Sequence, residues 1–248
     1  MAYFNAFSSV YDEYTQNVNY AERAGYIAEL LQKSGVSDGI LLDAACGTGS
    51  LSLQLCRLGF DIIAVDNSPD MLMVAREKLS AVLDKALLLC QDITQLDLYG
   101  TVDCVVCSLD SVNHLLTPEE VLAAFKSIGV FTRSGGVFVF DVNTLYKHRN
   151  LLSDNTFVFE NDSSFLVWRN SECDDNDVVN IILDIFIEDE NGCYKRCCED
   201  FSERAYDTAL LSELLEKAGF SVEKICGDMS FSAPKEQEER IYFVAKKL

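Results

Sequence analysis

The sequence predicts an α/β fold: a mainly parallel sheet with helices on both faces, plus an inserted antiparallel β lobe. Three observations carry this reading. From about residue 20 to residue 142, short apolar runs alternate with helix-spaced segments, the rhythm of strands buried on both faces and joined by helical crossovers. Between residues 157 and 201 the apolar runs follow one another directly, joined by polar turns, as in antiparallel hairpins. Helix and strand patterns resume after residue 204.

The elements follow in order. Tyr20–Lys33 carries Ala24, Ile27, Ala28 and Leu31 at helical spacing and stops at Ser34-Gly35. Ile40–Ala44 is a short buried strand leading into a glycine turn, and Ser50–Leu58 is a helix closed by Gly59. Phe60–Val65 is the second strand. Ser68 then suits an N-cap and Pro69 the first turn of the next helix. Ala86–Cys90 and Val102–Ser108 are further strands, and Thr117-Pro118 opens a helix to about Ile128. Ser134-Gly135-Gly136 reads as a turn into the strand Val137–Val142. In the lobe, Phe157–Glu160, Ser164–Asn170, Val178–Glu188 and Cys193–Phe201 read as strands. Asp207–Ala218 is a helix capped by Gly219, followed by strands at Phe220–Cys226 and Arg240–Lys246. The expected organisation is one domain over 1–248: an N-terminal helical lid (1–35), a core (36–145), the lobe (150–203) and the remainder of the core (204–248).

Composition narrows the function classes. With 40 acidic against 20 basic residues, the formal net charge is −20, which repels nucleic acids and anionic membrane surfaces and equally serves solubility. No apolar run approaches the length of a membrane span. Met1 to Tyr20 lacks the continuous apolar stretch of an export signal. The ten cysteines form no paired CxxC framework, so a reducing cytoplasm is expected. Cys104 and Cys107 lie in a strand, where residues three apart face opposite ways and cannot chelate one ion. Cys193, Cys197 and Cys198 are a weak metal alternative to ordinary thiols, and no metal is expected.

The chemistry concentrates at strand ends. In Asp43-Ala44-Ala45-Cys46-Gly47-Thr48-Gly49, small residues let the backbone approach a ligand closely before the next helix begins. Asp43 could order the turn or receive a cationic amine. Asp66 ends the second strand, where a carboxylate can accept both hydroxyls of a ribose. Gln91-Asp92-Ile93 ends the third, where Asp92 can accept an adenine amine while Ile93 packs on the ring. All three carboxylates fall on the carboxyl edge of the sheet, where open α/β sheets bind ligands. A dinucleotide site is disfavoured, because position 52 is Ser where its third glycine would stand.

These segments, together with Val65-Asp66-Asn67-Ser-Pro-Asp-Met71-Leu, resemble the first three motifs of class I S-adenosylmethionine (SAM)-dependent methyltransferases. The resemblance extends to Phe7-Ser-Ser-Val-Tyr11-Asp12, Asp110-Ser-Val-Asn113-His114, Phe140-Asp-Val-Asn143-Thr144 and Glu239-Arg-Ile-Tyr-Phe-Val-Ala-Lys246. It implies a Rossmann-like fold with a mainly parallel seven-stranded sheet, and SAM as cofactor, with S-adenosylhomocysteine as product. It further implies that Asp43, Ala45, Gly47 and Gly49 line the methionine end, Asp66 holds the ribose, Met71 and Ile93 sandwich the adenine and Asp92 takes its amine, with Asn67 and Gln91 also in the cofactor set. Tyr11 and Leu109 complete the cofactor set. Ala45 stands where the family usually has its first glycine, a change accommodated where φ is negative.

By the same resemblance, Ser108 to His114 sits beside the methyl group. His114 is the candidate base, with Asp110 and Asn113 as hydrogen-bonding partners; a helix-terminal or packing role for His114 stands as the alternative. Asp141 and Asn143 are further pocket candidates, and His148 reads as a surface residue. Tyr3, Phe7, Tyr11 and Tyr14 make one helix face, as a lid across the pocket or as a core stripe. Phe157, Phe159, Phe165 and Trp168 either wall an acceptor pocket or form the lobe's own core. The expected activity is methyl transfer to a small molecule. An RNA or protein methyltransferase, or a SAM-binding module without turnover, are the alternatives, and monomer and dimer are both open.

Overall fold

The computed structural model describes residues 6–82 and 84–248, without the side chains of residues 6, 7 and 9; the expectations for Tyr3 and for the Phe7 side chain lie outside the described residues. Helices α1 (Ala6–Tyr14) and α2 (Tyr20–Lys33) precede β1 (Ile40–Ala44). Then come α3 (Ser50–Arg57), β2 (Asp61–Asp66), α4 (Pro69–Lys78), β3 (Ala86–Cys90), β4 (Val102–Cys107), α5 (Pro118–Phe131) and β5 (Thr132–Asn143). A short helix α6 (Leu145–Lys147) runs into a π-helical turn, His148–Leu152. Strands β6 (Thr156–Glu160), β7 (Ser164–Asn170), β8 (Val178–Glu188) and β9 (Tyr194–Arg204) follow, and α7 (Thr208–Lys217), β10 (Phe220–Gly227) and β11 (Arg240–Lys247) complete the chain.

The sheet order β10-β11-β5-β4-β1-β2-β3 makes one seven-stranded sheet. Strands β1 to β5 pair in parallel, whereas β11 runs antiparallel to β5 and β10 antiparallel to β11. Alternate strand residues enter two cores, as the two-residue pleat requires. Leu42, Val105, Cys107, Phe138 and Phe140 meet α5 and α7 on one face. Leu41, Ile62, Cys104, Val106 and Val139 meet α2 and α3 on the other. Cys104 and Cys107 thus lie in opposite cores.

Proline and caps start the helices where expected. Ser68 caps α4 through the Met71 N–H, and Thr117 with Glu120 forms a reciprocal capping box on α5. One junction differs from expectation. Ser134-Gly135-Gly136 is part of β5, and a register shift against β4 absorbs the glycines as a bulge. Helix α5 correspondingly runs on to Phe131.

The second sheet, β6-β7-β8-β9, is the antiparallel lobe. Its apolar face (Leu166, Val179, Ile181, Leu183, Ile185) packs against Val10 of α1 and Leu152. Phe157 packs on Trp168 at 6.1 Å, Phe165 on Phe186 at 6.4 Å and Phe159 on Tyr14 at 6.3 Å. These aromatics therefore join the lobe to itself and to α1. Cys197 and Cys198 are adjacent on β9, opposite Ile185 and Asp184, and so point to opposite faces of the lobe.

Candidate active site

The parallel strands β1 and β4 are neighbours, with β2 and β3 on one side and β5 on the other, so the chain reverses its winding between β1 and β4. That reversal opens a crevice at the carboxyl ends of the strands. Asp43 and Asp66 lie at the carboxyl ends of β1 and β2, and Asp92 two residues past the end of β3, so the three carboxylates fall on this rim.

The turn after β1 is shaped for close approach. Gly47 (φ 54°) has open space where a Cβ would stand. Gly49 (φ 73°) brings the start of α3 so near α4 that a Cβ would lie 3.1 Å from the Ala75 methyl. Ala45 has φ 65°, against the expected negative value. The turn needs a left-handed residue there, and alanine adopts that conformation at a cost. Asp43 is buried and accepts a hydrogen bond from Ser52, the residue occupying the third-glycine position. Burial raises its pKa to about 6. Of the two roles considered for Asp43, its hydrogen bond supports ordering the turn.

Asp66 is 8% exposed. Its Oδ2 accepts the Gly47 N–H at 2.8 Å and its Oδ1 the Ser68 N–H at 2.9 Å. Each oxygen keeps a second lone pair. Asp92 caps a short turn, with Oδ1 accepting from the Thr94 N–H and hydroxyl, both at 2.8 Å; Oδ2 has no partner among the described residues. Buried Ile93 and half-buried Met71 flank this part of the rim, and Asn67 is exposed. Gln91 has both ends of its amide on the Asp97 backbone, at 2.9 and 3.0 Å, and so shapes the loop. Open space at Gly47, acceptor lone pairs on two carboxylates and apolar side chains near Asp92 thus lie along the carboxyl edge of β1 to β3.

Beyond β4 the chain takes two consecutive left-handed residues, Leu109 (φ 59°) and Asp110 (φ 57°). Asp141, wholly buried at the end of β5, holds them. Its carboxylate accepts from the Ser108 hydroxyl at 2.5 Å, the Leu109 N–H at 2.8 Å and the Asp110 N–H at 3.1 Å. Arg240 closes the arrangement with ion pairs to both Asp141 and Asp110. Asp141 is thus the anchor of the loop, and its pocket-candidate role is structural.

His114 follows on the same loop. It is 48% exposed at the side chain, lies tilted against Phe201 with ring centroids 5.3 Å apart, and places Nε2 3.8 Å from Glu203 Oε1. Its crowded surroundings lower its pKa, with Asp110 and Asp66 opposing. His148 is 0% exposed, which corrects the surface reading. The π-helical turn rotates the ring inward, away from the exposed Arg149 and Asn150 beside it. Sequence reasoning also missed Glu203, Lys147 and Arg240. Glu203 lay beyond the strand end expected at Phe201, although two-residue alternation puts it on the same face as Phe201.

Helix α1 crosses this rim. Tyr11 is half-buried, its phenol pKa raised by burial and by the nearby Tyr20 and Asp110. Asp12 accepts from Thr48 at 2.8 Å and Ser50 at 3.2 Å, and Lys78 pairs with Asp12 at 2.7 Å. Tyr14 bonds Ser164 of the lobe at 2.8 Å. One helix therefore ties the glycine turn to the lobe.

Known proteins resemble this chain in sequence and in fold. Residues 41–136 match the family described as "Methyltransferase domain". The chain is 30% identical over 98% of its length to YqeM of Bacillus subtilis (strain 168), a candidate methyltransferase, and covers 97% of that protein. The crystal structure of an S-adenosylmethionine-dependent methyltransferase from Clostridium acetobutylicum ATCC 824 superposes with a TM-score of 0.88 at 32% identity, over 98% of each chain. SAM-bound CalS10, an amino pentose methyltransferase from Micromonospora echinaspora, shares the fold with a TM-score of 0.77 at 19% identity, over 100% of this chain and 99% of that one. With the glycine turn, the acidic strand ends and the seven-stranded order already in place, the chain belongs to the class I SAM-dependent methyltransferases.

Proposed function

We propose that this methyltransferase acts on a small molecule bound between Leu109 and Lys147. The observation that carries this reading is a cavity of about 370 Å³ beside Leu109, walled by Asn17, Asn19, Arg23, Lys147 and Arg240 among others. That volume suits a metabolite. The net charge of −20 argues against an RNA backbone.

SAM supplies a methyl group on a sulfonium, already activated for displacement. The work left to the chain is to align the acceptor and exclude water. In this reading the backbone of Ala45, Gly47 and Gly49 lines the methionine end, with Asp43 bracing the turn from beneath. Asp66 takes the ribose hydroxyls on its free lone pairs, beside Asn67. Met71 and Ile93 enclose the adenine and Asp92 accepts its amine, on a loop stiffened by Gln91. Leu109 separates the methyl position from the acceptor cavity and Tyr11 covers it; His114, with Asp110 as its charged neighbour, stands outside the residues that line the cavity and takes the proton of an acceptor that reaches it. The α1 helix and the lobe act as lid and wall. Free thiols throughout the described chain suit a reducing cytoplasm.

Titration calorimetry with SAM and S-adenosylhomocysteine tests the cofactor site, with binding of both expected. Labelled SAM incubated with fractionated cell extract tests the acceptor: label is expected in the small-molecule fraction. Label in RNA or protein, or none anywhere, overturns the proposal in favour of a macromolecular acceptor or a binding module.

A further inference from the structure

Asn143 joins two carboxyls. Its Nδ2 donates to Asp110 Oδ2 at 2.7 Å and lies 3.2 Å from Glu203 Oε2. Glu203 is 4% exposed and stands between two imidazoles, with Oε1 3.8 Å from His114 Nε2 and Oε2 3.8 Å from His148 Nε2. The tautomer of His148 follows from its other nitrogen. Nδ1 lies 3.2 Å from the Asp177 carbonyl oxygen, which can only accept, so Nδ1 carries the hydrogen. Burial keeps the ring neutral, pushing its pKa down to about 4 against the Asp177 bond. Its buried Nε2 is therefore a lone pair, and no hydrogen-bond partner among the described residues reaches it. A carboxylate facing that lone pair is repelled, whereas a protonated carboxyl is attracted.

We propose that Asp110 and Glu203 form a one-proton dyad, in which Asp110 carries the charge and Glu203 carries a proton directed at His148 Nε2, and that Glu203 thereby acts as a positioning residue keeping His114 an uncharged base. The groups facing Glu203 come from every neighbouring element: Asp110 and His114 from the loop after β4, Asn143 from β5, Lys147 and His148 from α6 and its π turn, and Arg240 from β11. Burial and then the Asp110 charge push Glu203 up to about 8, against Lys147, Asn143 and Arg240. For Asp110, burial opposes ionisation but Arg240, Lys147 and His114 outweigh it and hold its pKa at about 2. Two carboxyls driven this far apart divide their roles between charge and proton.

The consequence for chemistry rests on the methyltransferase reading. With Glu203 ionised, His114 would sit against a second carboxylate and hold its own proton, leaving no lone pair for an acceptor. With the dyad singly protonated, His114 can take the N–H or O–H proton. The acceptor's electron pair then forms the bond to the methyl carbon, and the carbon–sulfur pair stays on sulfur. The dyad suits acceptors that shed a proton.

The chain has only 2 histidines, so imidazole NMR of the intact protein reads both rings directly. In the unmodified protein, His148 should keep the Nδ1–H tautomer from about pH 5 to 9. Both rings should show a shared inflection near the point where Glu203 ionises, about 8. In Glu203→Gln that inflection should vanish while the midpoint of His114 moves by no more than a few tenths. An Nε2–H tautomer at His148 overturns the proposal. So does an absent inflection, or a His114 midpoint that falls by about one unit or more in Glu203→Gln. The first two readouts need no variant, so a misfolded Glu203→Gln leaves the proposal open to refutation. Failure to bind SAM in calorimetry would instead remove the functional reading and leave the NMR result standing.

Discussion

The Gly47 amide donates to Asp66 Oδ2 at 2.8 Å, fastening the glycine turn after β1 to the end of β2. One carboxylate thus shapes the turn, and in the proposed function its remaining lone pairs take the ribose hydroxyls. Asp66→Ala should weaken SAM binding by about 1–3 kcal/mol, since it removes hydrogen bonds to a charged group. Titration calorimetry measures this directly. Unchanged affinity would rule out the ribose role.

Asp141 is wholly buried and bonds three groups of the loop after β4 as well as Arg240. Its removal leaves a buried guanidinium short of a partner and two left-handed residues without their anchor. Asp141→Ala should destabilise the fold by about 3–5 kcal/mol, as read by urea unfolding. A loss under about 1 kcal/mol would contradict this account, being within the range of a surface change.

Ala45 holds φ 65° without a glycine's freedom. Ala45→Gly should relieve about 1 kcal/mol of left-handed strain, raising the melting temperature by roughly 2–4 °C in a chain of this size. A lower melting temperature would show that the methyl group makes compensating contacts.

The dyad gives stability a pH dependence of known sign. Glu203 is raised from 4.5 to about 8 on folding, so its contribution is complete below the lower value and disappears as pH rises through the upper one. Asp110 is lowered from 3.8 to about 2, so its contribution is complete above the higher value and is lost as pH falls through the lower. Scanning calorimetry between about pH 5 and 9 should show a decline in melting temperature that is shallower in Glu203→Gln. An equally steep decline in the variant would assign it to other groups.

Lys78 pairs with Asp12 and also donates to Thr48 at 3.0 Å and Ser50 at 2.5 Å. Such partly exposed pairs contribute at most about 1 kcal/mol to global stability. Lys78→Met should therefore leave the melting temperature almost unchanged while speeding hydrogen exchange in residues 8–14 several-fold. Equal exchange in the two proteins would show that the lobe contacts alone seat α1.

How much of this was legible in the sequence depended on the range of the interactions. Tyr20–Lys33, Ile40–Ala44 and Ala86–Cys90 match their expected bounds, because periodicity and flanking glycines are local signals. The acidic strand ends were legible for the same reason, each following directly on an apolar run. Gly135-Gly136 misled because glycines serve a bulge as well as a turn. His148 misled because the polar stretch around it reads as surface, and only the π-helical turn reverses its direction. Glu203, Lys147 and Arg240 meet near Asn143 through three different elements, and the Asp12–Lys78 pair joins α1 to α4. No window of neighbouring residues contains such meetings.

Arg240 opens β11, and its ion-pair partners Asp110 and Asp141 lie 130 and 99 positions before it. During synthesis the parallel strands can align while the loop that bears Leu109 still lacks its guanidinium clasp. Competence for catalysis should therefore arrive late, as one concerted docking of the final hairpin, and lag behind the bulk of secondary structure in refolding. Contacts of such sequence separation are slow to close.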